Sequence, residues 1–275
     1  MTADFAAVLV RVVVQRTAAV CDLAATIAAA RHPEERLADP TPGHETSLVH
    51  TDITSRPSFA SARVTLAQGE SVRAEAGAML AMSAGVDIDT GTGGGMLKGL
   101  RRSVLGGESF FLNTFTATRG EGHVTLAPSL PGDVIEWQLN GETVFLQSGS
   151  YLGAGGDVDV DSKWGGSKTF FSREGLIMLR CTGTGPLLVS SYGAIETMEL
   201  GAGESYTVDT GHLVGWTEGV GYQVRKVGSW KSTFLSGEGL VVDLTGPGSV
   251  HLQTRSPQAL LDWLIPRLPK PSSSS

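Results

Sequence analysis

Gly141-Glu142-Thr143-Val144-Phe145-Leu146-Gln147-Ser148-Gly149-Ser150-Tyr151-Leu152 decides how this chain is built, because variants of it stand on either side. Upstream, Gly69-Glu70-Ser71-Val72 runs on to Gly77-Ala78-Met79-Leu80. Downstream, Gly203-Glu204-Ser205-Tyr206 runs on to Gly211-His212-Leu213-Val214. In every copy the second glycine follows the first by eight residues. Repetition at this scale means that one supersecondary unit is used more than once, each copy too small to bury its own apolar face alone.

One plan surrounds the three copies. Ala60, Ala62, Val64 and Leu66 alternate with Ser61, Arg63 and Thr65, the period-two pattern of a half-buried strand. After the second glycine come Val86-Asp87-Ile88-Asp89, then Asp157-Val158-Asp159-Val160-Asp161, then Tyr222-Gln223-Val224-Arg225. An irregular loop follows, and Glu108, Glu174 or Glu238 opens another strand. Hairpin turns are expected at Gly120-Glu121-Gly122, Gly183-Thr184-Gly185-Pro186 and Gly246-Pro247-Gly248, with return strands over 124–126, 187–189 and 250–252. The 36 glycines in 275 residues, about twice the usual share of roughly 7%, fit many tight turns between short strands. The expectation is an all-β domain over 58–268, with three internal repeats near 58–139, 140–201 and 202–265 forming a pseudo-threefold barrel or sandwich body. No βαβ alternation is present, which argues against a parallel α/β sheet.

Residues 1–57 read as an N-terminal extension. Its first part, 1–31, is an Ala/Val-rich helix broken by Arg11, Arg16, Asp22 and Arg31, and 32–57 is a disordered Pro/Glu/Thr/Ser linker. No uncharged run there approaches the roughly 20 residues of a membrane span, and Asp4 and Arg11 spoil a secretory signal. The expectation is a loosely attached helix or translated upstream sequence. At the other end, 258–265 reads as a short helix capping the body and stopped by Pro266, with 269–275 a disordered tail.

A net charge of −7 and a pI near 5.4 oppose binding to the phosphate backbone of a nucleic acid. Cys21 and Cys181 match no metal or redox spacing and point to a reducing compartment. His123, His212 and His251 are scattered, with no His-x-His pair to start a metal site. Asp157, Asp159 and Asp161 imitate the start of a calcium loop, but Ser162 and Lys168 stand where its glycine and glutamate belong. Gly91-Thr92-Gly93-Gly94-Gly95 lacks the Gly-Lys-Ser/Thr of a phosphate loop, and no Gly-x-Ser-x-Gly is present. The repeated Glu108, Glu174 and Glu238 are expected to accept backbone hydrogen bonds at strand entries. Neither a catalytic residue nor a cofactor or metal site is therefore assigned.

The loops before those glutamates stand out instead. They carry Lys98, Arg101 and Arg102; Lys163, Trp164, Lys168, Phe170 and Phe171; and Lys226, Trp230, Lys231 and Phe234. Val104/Leu105, Phe170/Phe171 and Phe234/Leu235 hold identical places before the glutamate. Threefold closure would gather these loops on one rim, a basic-aromatic composition suited to a protein partner or an anionic membrane surface. In the competing expectation, Phe170 and Phe234 plug the end of the body while the cations solvate it.

Five runs, in order, resemble the bacterial family related to the yeast "altered inheritance of mitochondria" protein twenty-four. They are Arg73-Ala74-Glu75-Ala76-Gly77-Ala78-Met79, Gly107-Glu108-Ser109-Phe110-Phe111, Ser190-Ser191-Tyr192-Gly193-Ala194-Ile195, Asp209-Thr210-Gly211-His212-Leu213-Val214 and Leu252-Gln253-Thr254-Arg255-Ser256. The resemblance covers 58–265 and implies a fold similar to the tryptophan RNA-binding attenuation protein, three β units closing a pseudo-threefold body. It implies no activity, and no tryptophan or RNA motif is matched. The expected role is a non-enzymatic scaffold or adaptor, cytoplasmic and peripheral to a membrane, or mitochondrial in a eukaryotic source. The alternative is a small-ligand-binding protein or enzyme with its site on the pseudo-threefold axis.

Overall fold

A computed structural model of the chain describes residues 49–89, 103–105, 108–110, 112–161, 177–226 and 240–268; for 103–105 and 108–110 only the strand path is described. All of them fall in the compact unit Thr46–Ser275. The N-terminal helix expected over 1–31 and the tail over 269–275 lie outside the described residues. Strands dominate. In chain order they are β1 (His50–Thr54), β2 (Ser61–Leu66), β3 (Ser71–Glu75), β4 (Met79–Met82), β5 (Val86–Asp89), β6 (Ser103–Leu105), β7 (Glu108–Phe110), β8 (Leu112–Ala117), β9 (Gly122–Leu126) and β10 (Val134–Gln147). Then follow β11 (Tyr151–Gly155), β12 (Asp159–Asp161), β13 (Met178–Ser190), β14 (Ile195–Leu200), β15 (Ser205–Asp209), β16 (Leu213–Thr217), β17 (Gly221–Lys226), β18 (Leu240–Thr245) and β19 (Gly248–Gln253), before one helix, α1 (Pro257–Leu264).

The quoted motif is a turn with a stated geometry. Gly69, Gly141 and Gly203 all have φ between 78 and 101°, the left-handed region that favours glycine. The next residue closes the turn with its carboxylate: Glu70 accepts from the Ala67 amide at 2.6 Å, Glu142 from Asn140 at 2.8 Å and Glu204 from Gly201 at 2.8 Å. Two residues after each such glycine the chain is in ladder: β3, the late part of β10 (143–147) and β15. Two residues after the second glycines, 77, 149 and 211, begin β4, β11 and β16.

These strands take matching roles. β3 pairs with β8, 143–147 with β13, and β15 with β18, all antiparallel. β4 pairs with β9, β11 with β13, and β16 with β19. Two further ladders join one group of strands to the next. β11 lies against β3 with Gly153 opposite Ala74, and β16 lies against β10 with Gly215 opposite Leu146.

The hairpins expected at the glycine-rich turns do not form. β8 pairs with β3 and β5, whereas β9 pairs with β2 and β4, so Gly120-Glu121-Gly122 passes the chain from one ladder to another. Gly246-Pro247-Gly248 does the same between β18 and β19. At 183–186 there is no turn at all, since β13 runs straight through from Met178 to Ser190. Gly183 and Gly185 bend it at φ 115 and 140°, and a Cβ at Gly183 would stand 2.2 Å from the Asp157 carbonyl oxygen. The backbones press too closely there for any side chain.

Three hydrophobic clusters fill the interior. The first holds Val64, Leu66, Phe115 and Leu126; the second Leu146, Tyr151, Leu179 and Leu187; the third Leu213, Trp216, Val242 and Val250. Among the described residues the ladders do not close into a barrel: β15-β18-β17 is a separate sheet, and β4 is the last strand of β1-β2-β9-β4.

The folded part starts earlier than the expected boundary at 58. β1 pairs along β2 from His50↔Thr65 to Thr54↔Ser61, within the segment read as linker. Arg56 then donates to both carboxylate oxygens of Asp133 at 2.8 and 2.9 Å, and Asp133 is buried. A buried carboxylate needs this pairing, and Arg56 supplies it bidentately. Helix α1 is capped by Ser256 and started by Pro257, but it has no buried residue, and Leu261, Trp263 and Ile265 face solvent. It decorates the body rather than sealing it.

Trp216 is fully buried, whereas Trp263 is mostly exposed. Trp216→Ala should therefore lower stability by about 3–5 kcal/mol and Trp263→Ala by no more than about 0.5 kcal/mol, as read from urea midpoints.

Candidate functional site

Of the basic-aromatic loop residues, only Lys226 is described. It is exposed at the end of β17, opposite Leu240. Lys98, Arg101, Arg102, Lys163, Trp164, Lys168, Phe170, Phe171, Trp230, Lys231 and Phe234 lie outside the described residues. The roots of the loops are clear, however. Each joins the two strands of an antiparallel ladder: β5 with β8, β12 with β13, and β17 with β18.

The aspartates of the second unit sit as a strand with one wet face would place them. Val158 and Val160 are buried, Asp157 and Asp159 exposed, and Asp161 reaches Arg180 at 3.6 Å. The histidines serve separate neighbours. His123 Nε2 accepts from the Arg63 guanidinium at 2.9 Å, and His212 Nδ1 donates to the Gln253 carbonyl at 2.8 Å. Buried His251 meets Thr197 at 2.9 Å and the edge of Trp137, and burial holds its pKa down. Among the described residues no group of His, Cys, Asp and Glu is arranged to hold a metal ion, and no helix is long and apolar enough to cross a membrane.

A half-buried polar cluster lies where β11 meets β3. Arg73 and Glu75, two apart on β3, share a face. The fully buried Tyr151 donates its hydroxyl to the Arg73 carbonyl at 3.0 Å, and the Arg73 guanidinium donates to the Val158 carbonyl. Burial pushes the Tyr151 hydroxyl up, opposed by Arg73 and reinforced by Cys181 and Glu75. Burial likewise pushes the Cys181 thiol up to about 12, which keeps it a thiol. Desolvation pushes Glu75 up to about 7. Burial alone raises Glu75, while the Arg73 guanidinium is turned to the Val158 carbonyl. Sequence reasoning met Arg73 and Glu75 only as family-like residues; the signal it lacked was the ladder that sets Tyr151 against them.

The second feature is a pair of strands with exposed apolar side chains. Leu80 is 63% exposed and Met79 and Met82 about 40% on β4, while Tyr206 is 50% exposed on β15. The residues at the same places after the turns elsewhere are buried: Leu152 and Val214 for Leu80, Tyr151 and Leu213 for Met79, Val72 and Val144 for Tyr206. Full burial of one such side chain is worth roughly 1.5–3 kcal/mol, so leaving three exposed on β4 and another on β15 is costly.

Glu75 yields a pH prediction. The folded carboxyl keeps its proton to about pH 7, whereas an unfolded glutamate loses it near about 4.3. Between those values the folded state binds more protons, so stability falls as pH rises through the window. Glu75→Gln should remove that loss. Its urea midpoint relative to the parent should rise between pH 5 and pH 8, and carbon NMR of the parent should place the Glu75 titration near 7.

The comparisons with known proteins agree with this architecture. Residues 51–255 match the family model described as mitochondrial biogenesis AIM24. An uncharacterised protein of Streptococcus pyogenes serotype M6 is 28% identical over 223 residues, spanning 78% of this chain and 89% of that protein. A crystal structure of a Streptococcus pyogenes protein superposes with a TM-score of 0.67 at 25% identity, covering 80% of this chain and all of that one.

Proposed function

The chain belongs to the mitochondrial biogenesis AIM24 family, and we propose that it is a non-enzymatic scaffold, built from three equivalent β units, that docks on an anionic membrane surface through its basic-aromatic loops. The observation that carries this reading is the like attachment of the loops. Residues 90–111, 162–176 and 227–239 each connect the two strands of an antiparallel ladder. Three loops that each combine cations with large apolar side chains, each leaving an antiparallel strand pair, suit a surface that reads charge and apolar insertion rather than one substrate. The loops concentrate cations on a chain whose net charge is −7. Each cation near an anionic bilayer contributes about 1 kcal/mol, enough in combination for reversible attachment.

A small-ligand site is the second reading, favoured by one observation: a half-buried carboxyl, Glu75, whose charge is felt by the buried Tyr151 hydroxyl. Flotation with vesicles separates the two. The parent should float with phosphatidylserine-containing vesicles at low salt and stay behind with neutral ones. Changing Lys98, Lys163, Lys168 and Lys231 to Glu should cut the bound fraction by more than about tenfold. Unchanged flotation would sink the membrane reading. Changing Trp164, Phe170, Trp230 and Phe234 to Ser should leave the protein folded and soluble but no longer floating; unfolding would mean that the aromatics plug the body instead.

A further inference from the structure

Two of the ladders that join strand groups follow one register rule. The residue four places after a second glycine pairs with the residue five places after an opening glycine. Gly153 thus meets Ala74, and Gly215 meets Leu146. The following pairs keep step, Ala154 with Arg73 and Trp216 with Phe145. At the second of these junctions the cross-strand pair is aromatic, with Phe145 and Trp216 rings 5.6 Å apart.

One strand of each type is left over. β4 follows Gly77 as β11 and β16 follow Gly149 and Gly211, and β15 follows Gly203 as β3 follows Gly69. Yet among the described residues β4 pairs only with β9 and β15 only with β18. These are also the strands whose apolar side chains are exposed where their counterparts are buried: Met79, Leu80 and Met82 on one, Tyr206 on the other. An edge that is both apolar and unpaired is a template for another strand.

We propose that β4 of one copy of this chain pairs antiparallel with β15 of a second copy, Ala81 opposite Val208 and Met82 opposite Thr207, so that copies add head to tail. The two edges are complementary to each other and not to themselves, so the contact is heterologous and propagates into a ring or an open filament. Among the described residues the outer edge of each strand has no strand beside it and its apolar side chains are exposed, and the register shared with the two in-chain junctions argues for a second copy as the occupant. The contact is independent of the loops: it stands whether or not they dock on a membrane.

Cross-linking tests the register directly. In a Cys21→Ser background, where the remaining Cys181 is fully buried, copies carrying Met82→Cys are mixed with copies carrying Thr207→Cys. Oxidised glutathione takes up the two electrons as the disulfide forms. The mixture should give covalent dimer at least about tenfold above either variant alone, and the double variant Met82→Cys/Thr207→Cys should give a ladder of dimers, trimers and larger species. Three results would overturn the proposal: a monomeric mixture with native circular dichroism, a double variant closing only on itself, or equal dimer from Met82→Cys alone. Sedimentation of the full chain gives a second readout. Its mass should rise with concentration, and Leu80→Lys, on an exposed side chain, should abolish the rise without altering the circular dichroism; a rise that survives the substitution counts against the contact.

Discussion

Every strand that leaves a Gly-Glu turn has two backbone edges and one apolar face to satisfy at once. Its own group of strands supplies one edge. For two of the three the other comes from the strand that follows a second glycine elsewhere in the chain, as β11 does for β3 and β16 for β10. The buried Tyr151 hydroxyl on the Arg73 carbonyl, and Trp216 against Phe145, exist only because those two ladders form. Unpaired backbone groups and exposed apolar side chains both carry a free-energy cost, so the joining ladders decide what the rest of the sheet can bury. The turn itself is local chemistry, a glycine at positive φ and a carboxylate on a nearby amide, and it sets the phase in which each strand begins.

Much of this architecture is legible in the residues. The opening glycines mark left-handed turns, and the alternation of Ala62, Val64 and Leu66 fixes which face of β2 is buried. Other features escape a linear reading for physical reasons. A glycine-rich turn looks the same whether the chain reverses within one sheet or steps into another, so Gly120-Glu121-Gly122 suggests a hairpin where the structure has a change of sheet. Gly183-Thr184-Gly185-Pro186 has turn composition because two backbones come close, not because the chain turns. β1 hides in a Pro- and Thr-rich stretch where Ile53 is the one aliphatic residue of the strand, and its order comes from β2 and from the Arg56–Asp133 pair nearby.

The site is less legible than the fold. Met79-Leu80 reads like Tyr151-Leu152 and Leu213-Val214, and only pairing separates an exposed edge from two buried strands. Glu75 looks like any strand carboxylate until the ladder of β3 with β11 buries it near Tyr151. The loop cations and aromatics have the reverse character: their composition is plain in the sequence, and only the traced ladders show that each loop connects the two strands of an antiparallel pair.

β10 and β13 are the longest strands, and their mutual ladder runs from Val134↔Ser190 to Gln147↔Met178 with one irregularity between Asn140 and Thr143. β13 does in one pass what β8 with β9, and β18 with β19, do in two. The flanking strand groups can therefore peel away singly, each severing one joining ladder. Nothing can be withdrawn from the centre without cutting both sides loose together. Mechanical or thermal unravelling should accordingly proceed from the outside inward, with the amides of this central pair the last to meet solvent.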